Sequence, residues 1–308
     1  MKYSLSITKR VPLILIVVLS LSTGAVKGQT GQAPPSAELR LYDIIENVSP
    51  ARIEADIRTL ASFGTRNTLS DTVSATRGIG AARRWIKDEF DQISEACGGC
   101  LEVYYHRTLL KGGESRRIPN DVWIVNVIAI QRGTEHPNRY VMMTGDIDSR
   151  ASSGSDGVTD APGANDNASG MAGTIEAARV LSQYSFASSI IYSGLSGEEQ
   201  GLFGGRFFAE DAVEDNWNIA AVLNNDMIGN IEGIDGVIDN TTFRIFSEAT
   251  PVTDTEDEIR RRRFYGGEVD GPSRQLARYI ARITEDYFVN LDPILIYRLD
   301  RFGRGGHH

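Results

Sequence analysis

From Leu101 onward short apolar runs alternate with amphipathic segments, and that alternation restricts the fold more than any other feature of the chain. Leu101–Leu109, Trp123–Gln131, Arg139–Ile147, Ser188–Ser196, Ile219–Ile228 and Pro293–Leu299 read as strands. Ser169–Tyr184, Gly201–Val213 and Ser273–Phe288 carry apolar residues at helical spacing. Strands and helices interleaved in this way predict an α/β protein: a three-layer α/β/α sandwich around a mixed, largely parallel central sheet. Ile219–Ile228 is apolar enough to predict a central strand. Upstream, Ser36–Val48 and the segment holding Ile53, Ile57 and Leu60 have helical spacing, with Ser49-Pro50 as a helix start. A longer helix is expected over roughly Ala75–Ala96. Glu232–Gly271 reads as mostly irregular, except that Glu256–Glu258 precede Arg260–Arg263 as on a solvated helix face. No internal repeat or linker stands out, so residues 29–308 are expected to form one domain, with N-terminal helices over 36–96 and an α/β core over 101–308.

Residues 1–28 are of another kind. Lys2, Lys9 and Arg10 precede an apolar run from Val11 to Leu21, followed by small residues at Ser22, Gly24, Ala25 and Gly28. This pattern predicts a secretory signal peptide, and the apolar run is too short to span a bilayer. The expected protein is secreted or periplasmic, with no membrane attachment after cleavage. Cleavage removes four cationic residues and no acid, moving the formal charge from −9 to −13 (28 Lys and Arg against 41 Asp and Glu). That acidity argues against a nucleic-acid partner and suits a metal or cationic ligand. The only cysteines, Cys97 and Cys100, are expected to pair as a disulfide in an exported protein.

Ligands of open α/β sheets bind outside the carboxyl ends of strands. Here those ends carry acids: Asp146 and Asp148 in GDIDSR, Glu198 and Glu199 in GEEQG, and Asp226 after Asn225. Asp166 lies in PGANDNASG before a helix, and Asp300, His307 and His308 follow the last strand. Carboxylates this dense repel one another unless cations neutralise them. A bridging carboxylate, terminal ligands and a base are the parts of a two-metal centre, and all are present. Other chemistry is poorly supported. No HExxH occurs, Ser196 lacks a G-x-S-x-G frame, and RGIGAA at Arg77–Ala82 does not follow a strand. His106 and His136 read as structural or surface residues.

PGANDNASGMAGTIEAARVL, GLSGEEQGLFGG and AVLNNDMIGN together resemble the co-catalytic zinc aminopeptidases of clan MH, metallopeptidase family twenty-eight. The likeness extends upstream to DIRTLASFGTRNT and NVIAIQRG and downstream to YRLDRFGRGGHH, so it covers roughly Ile53 to the end. It implies a hydrolase acting on peptide or protein substrates with two divalent ions, Zn²⁺ in the first place. It implies that Asp166 bridges the ions, Glu199 binds one and Asp226 the other, and His308 is the last ligand. Glu198 would be the general base that takes a proton from the attacking water, and Asp148 an acid that orients the first ligand. Adjacent side chains at a strand end point in different directions, so Glu199 can grip metal while Glu198 meets the water.

Two departures from the family pattern qualify these expectations. The family has His at the first ligand position, where this chain has Asp146. Asp146, Asp166, Glu199 and Asp226 would then place four negative charges on two ions, shifting preference toward harder cations such as Mn²⁺ or Mg²⁺. A degenerate site with one weakly held metal is the competing reading. The family also continues past the last ligand with further strands and a helix, so the sequence is expected to be a C-terminally shortened form. Two other functions stay open on the same scaffold: a non-catalytic metal- or peptide-binding protein, and another reaction of the clan, such as that of carboxypeptidases or glutaminyl cyclases.

Overall fold

Turn chemistry and apolar periodicity place the first helices. The computed structural model describes residues 39–297 except 252, 288 and 289. The expected signal peptide, Asp300, His307 and His308 lie outside the described residues. Helix α1 spans Leu39–Glu46, α2 Pro50–Ser62 and α3 Gly78–Ala96. The Ser49 hydroxyl accepts the N–H of Arg52, with Pro50 in the first turn of α2, as its sequence predicts. α3 starts three residues later than expected, because Asp71 and Ser74 hold residues 71–77 in a turn by accepting the N–H groups of Val73, Ser74, Thr76 and Arg77. Cys97 and Cys100 are disulfide-bonded just after α3.

The α/β core follows: β1 (Leu101–Leu110), β2 (Val122–Gln131), β3 (His136–Asp146), α4 (Gly170–Leu181), β4 (Ser188–Leu195), α5 (Glu198–Gly201), α6 (Phe203–Glu214) and β5 (Asn218–Asn225). The five strands form one sheet in the order β1-β2-β4-β3-β5. β2 is antiparallel to β1 and β4, whereas β3 is parallel to β4 and β5. The sheet is therefore mixed, with its parallel half on the β5 side.

Side chains alternate across it with the period of two that a strand imposes. Val127 and Ala129 of β2 and Tyr192 of β4 pack with Ile79, Ile86 and Phe90 of α3 and with Met171 and Ile175 of α4. The intervening Ile128, Ile130 and Ile191 face Tyr140, Met142 and Phe208 of α6 on the other side. Helices on both faces complete the three layers.

Two expectations are corrected. β5 is an edge strand among the described residues, hydrogen-bonded only to β3, and alternates exposed with half-buried positions. Apolar content reports contact with a packing layer, not position in the sheet; β4 is the middle strand of the five. The stretch after Asp226 is also less irregular than expected. It contains β6 (Thr242–Ser247) and α7 (Glu256–Phe264), followed by α8 (Pro272–Tyr287) and β7 (Asp292–Tyr297). β6 and β7 pair in parallel as a separate two-stranded sheet against α8. α7 has no buried residue and opens on a capping box between Thr255 and Glu258, which agrees with a solvated face.

A charged network ties α2, α3 and α4 together above the sheet. Arg179 reaches Asp56 at 2.8 Å, Glu89 at 2.7 Å and Glu176 at 3.2 Å. Arg52 meets Glu176 at 2.6 Å. Removing one partner of a buried ion pair strands the other charge. Arg179→Met is therefore expected to destabilise the fold by about 3–5 kcal/mol in urea unfolding. Adding Asp56→Leu should recover part of that loss; equal losses in the single and double variants would contradict the assignment.

Candidate metal centre

The register of the parallel strands decides which acids meet. Asp146 at the end of β3 lies opposite Leu195 of β4, and Gly145 lies opposite Asn225 of β5. The residues just past those strand ends are Glu198 and Glu199 on one side and Asp226 on the other. A single sheet edge thus receives acids from three adjacent strands. Asp166 joins them from the turn Ala164–Ser169, which leads into α4. That helix comes close to the sheet because Gly170 has no side chain: a Cβ there would lie 2.2 Å from the Asn225 carbonyl oxygen.

Each acid sits in its own environment. Asp146 is 2% exposed and accepts Asn167 Nδ2 at 3.1 Å. Asp148 is 1% exposed and accepts the backbone N–H groups of Glu198 at 3.2 Å and Glu199 at 3.1 Å, with the Thr68 hydroxyl at 3.3 Å. Its carboxylate thus anchors the first turn of α5, where helix N–H groups lack internal partners. Glu199 is buried, with its Oε2 3.2 Å from Arg150 Nε.

Burial and mutual repulsion raise the proton affinity of Glu198, Glu199 and Asp166. Burial, and then the charges of Asp148, Asp146, Glu199 and Asp226, push the Glu198 carboxyl up to about 9. Glu199 is pushed up to about 7 by burial and by Asp148 and Asp166. Asp166, though exposed, is raised by partial desolvation and by the charge of Asp146. All six expected carboxylates of the described chain therefore belong to one electrostatic cluster. His308, the remaining expected ligand, is outside the described residues.

The oxygen donors of Asp146, Asp166, Glu199 and Asp226 suit divalent cations, and a cation would neutralise charge that burial makes costly. Among the described residues no three His, Cys, Asp or Glu side chains close as a complete ligand set. The cluster is defined by shared charge, with Asp146, Asp148 and Glu199 buried, Glu198 and Asp226 half-buried and Asp166 exposed.

Several residues of the site escape sequence reasoning. Asn167 spans the strand ends, donating from Nδ2 to Asp146 and to the Asn225 carbonyl, while its Oδ1 accepts the N–H groups of Gly170 and Met227. Arg117 and Ser115, in the loop between β1 and β2, donate to the carbonyls of Glu199 and Gln200. Arg66 is buried beneath Asp148 and Asp166, and burial lowers its guanidinium to about 10. Arg66 lies in the FGTRNT stretch already noted for its likeness to the family, which was the available signal. Arg117 has none, because its role depends on where a loop folds. His106 is structural, as expected: it contacts Asp211 at 2.7 Å and Asn126 at 3.1 Å.

Residues 126–250, which hold every one of the six acids, match Peptidase family M28. A probable zinc metalloprotease of Pyrenophora tritici-repentis is 38% identical over 268 residues, covering 87% of this chain and 62% of that protein. A second, from Leptosphaeria maculans, is 40% identical over 278 residues, covering 90% and 64%. The chain thus spans less than two thirds of the length of these curated relatives. The crystal structure of the Legionella pneumophila LapA aminopeptidase shares the fold, with a TM-score of 0.62 and 19% identity, covering 88% of this chain and 59% of that one. Residues 126–250 thus carry a match to peptidase family M28, and the likeness to curated zinc metalloproteases extends well beyond that segment.

Proposed function

We propose that the protein is an exported metal-dependent exopeptidase of the aminopeptidase type, hydrolysing N-terminal peptide bonds with two divalent ions. The observation that carries this reading is the cluster of six carboxylates brought by four chain segments to one sheet edge. Its four candidate ligands are Asp146, Asp166, Glu199 and Asp226, with His308 as the fifth. Zn²⁺ is the first candidate from the relatives' names, and the oxygen-rich donor set also suits Mn²⁺ or Mg²⁺. Bound ions would polarise the scissile carbonyl and acidify the attacking water.

The chain's own residues supply the rest. Glu198 takes the proton from the attacking water and delivers it to the leaving amine. Asp148 holds Glu198 and Glu199 in place through their backbone N–H groups. The acidic edge attracts the free ammonium group of a peptide N-terminus, which favours an aminopeptidase over a carboxypeptidase. The charged start and apolar run of residues 1–28 support export.

The test is direct. The chelator-treated protein should be inactive on amino-acid anilides and regain turnover with Zn²⁺, Mn²⁺ or Co²⁺. Glu198→Gln should lower kcat by about 10²–10⁴-fold while metal affinity changes little. Turnover that survives either treatment would reject the reading. Two ions per chain are expected by metal analysis; zero or one favours the non-catalytic binding protein instead.

The same acids govern metal-free stability. The folded Glu198 carboxyl ionises well above its ordinary value of 4.5, near 9. Between those values the folded state holds a proton that the unfolded chain releases, so stability falls as pH rises. Glu199 and Asp166 act in the same direction. In chelator, Glu198→Gln should therefore stabilise the fold, by roughly 1–3 kcal/mol at pH 8 and much less at pH 5. Thermal melts across that range check it, and a pH-independent difference would contradict it.

A further inference from the structure

We propose that Arg66 is a positioning residue for this centre, its guanidinium setting the spacing between the Asp146–Asp148 segment and the turn that carries Asp166. The inference rests on the metal-site reading only for what that spacing serves. Arg66 is 1% exposed, in the loop between α2 and α3. Its four side-chain hydrogen bonds all go to backbone carbonyls. Nε donates to Ile147 at 2.8 Å, the residue between Asp146 and Asp148. Nη2 donates to Gly163 at 3.0 Å, directly before the Ala164–Ser169 turn. Nη1 donates to Pro162 at 2.5 Å and to Leu60, in α2, at 3.0 Å. The Arg66 backbone N–H adds a bond to the Ser149 hydroxyl at 3.0 Å.

One rigid side chain therefore grips both acid-bearing segments and fastens them to α2. Only a planar guanidinium offers donors in a fixed fork that can serve several acceptors at once; a lysine ammonium cannot span them. Burying a cation without a hydrogen-bonded carboxylate is costly. Here the charge faces Asp148 and Asp166, so it also offsets the repulsion among the acids. Space is tight around the clamp: a Cβ on Gly163, whose φ is +51°, would lie 2.3 Å from the Asp166 carbonyl oxygen and 3.0 Å from Arg66 Nη2. The segments cannot drift without breaking these contacts.

The test uses Arg66→Lys and Arg66→Met in the full chain, with two readouts. In chelator, hydrogen exchange of amides 146–149 and 163–169 should rise at least about tenfold in Arg66→Lys, while amides of β2 stay within about twofold. Titration with Zn²⁺ alone should show affinity falling by about 10–100-fold, the loss typical when a residue that orients a metal ligand is removed. Exchange that rises uniformly over the chain, or Zn²⁺ affinity within about twofold of wild type, overturns the proposal. Loss of the native circular dichroism signal in both variants makes Arg66 a folding residue alone and also overturns it. If the wild-type chain binds no Zn²⁺, the metal reading fails separately, and the exchange pattern decides whether Arg66 clamps the two segments.

Discussion

Like charges brought together away from water repel strongly, and the architecture around the β3, β4 and β5 ends is organised by that repulsion. Asp146, Asp148 and Glu199 are buried, and Glu198, Asp166 and Asp226 stand beside them. A fold optimised for stability alone would scatter these residues over the surface. Their gathering at one edge is a local conflict of the sort that marks functional sites.

The rest of the structure contains the conflict. Parallel pairing of β3 with β4 and β5 aligns the three strand ends, so the acids share an edge by register. Asp148 is satisfied by two backbone N–H groups at the start of α5, and Asn167 bridges β3 and β5. Arg66 places a buried positive charge beneath the cluster and ties down the segments on either side of it. The apolar layers formed by α3 and α4 on one face and α6 on the other hold the sheet that makes this alignment possible.

Much of this architecture is legible in the sequence. The strand and helix alternation follows from periodicity, which is local, and the Ser49-Pro50 start of α2 from capping chemistry. Asp146, Asp148, Glu198, Glu199 and Asp226 are legible because each lies at or just past a strand end, whereas Asp166, far from any strand end, is marked by the PGANDNASG motif before α4. Apolar content does not encode strand order, so it mislocates β5, an edge strand among the described residues. β6 was missed because six residues inside a polar stretch carry too little periodic signal. Asn167 drew no attention beside Asp166, since its role is to join two strands that are distant in sequence. Arg117 was equally silent, as its partner is a backbone carbonyl on another loop.

Sequence alone therefore determined the layer architecture, the family likeness and the identity of the acids, because each depends on residue type at short spacing. Tertiary structure alone decided that the acids form one electrostatic cluster, that β4 rather than β5 is central among the described strands, and that Arg66 joins the two segments carrying Asp146, Asp148 and Asp166. Those features depend on strand order, burial and contacts between residues some eighty to a hundred positions apart. No local pattern carries that information, because the field at a carboxylate comes from whatever the fold places next to it.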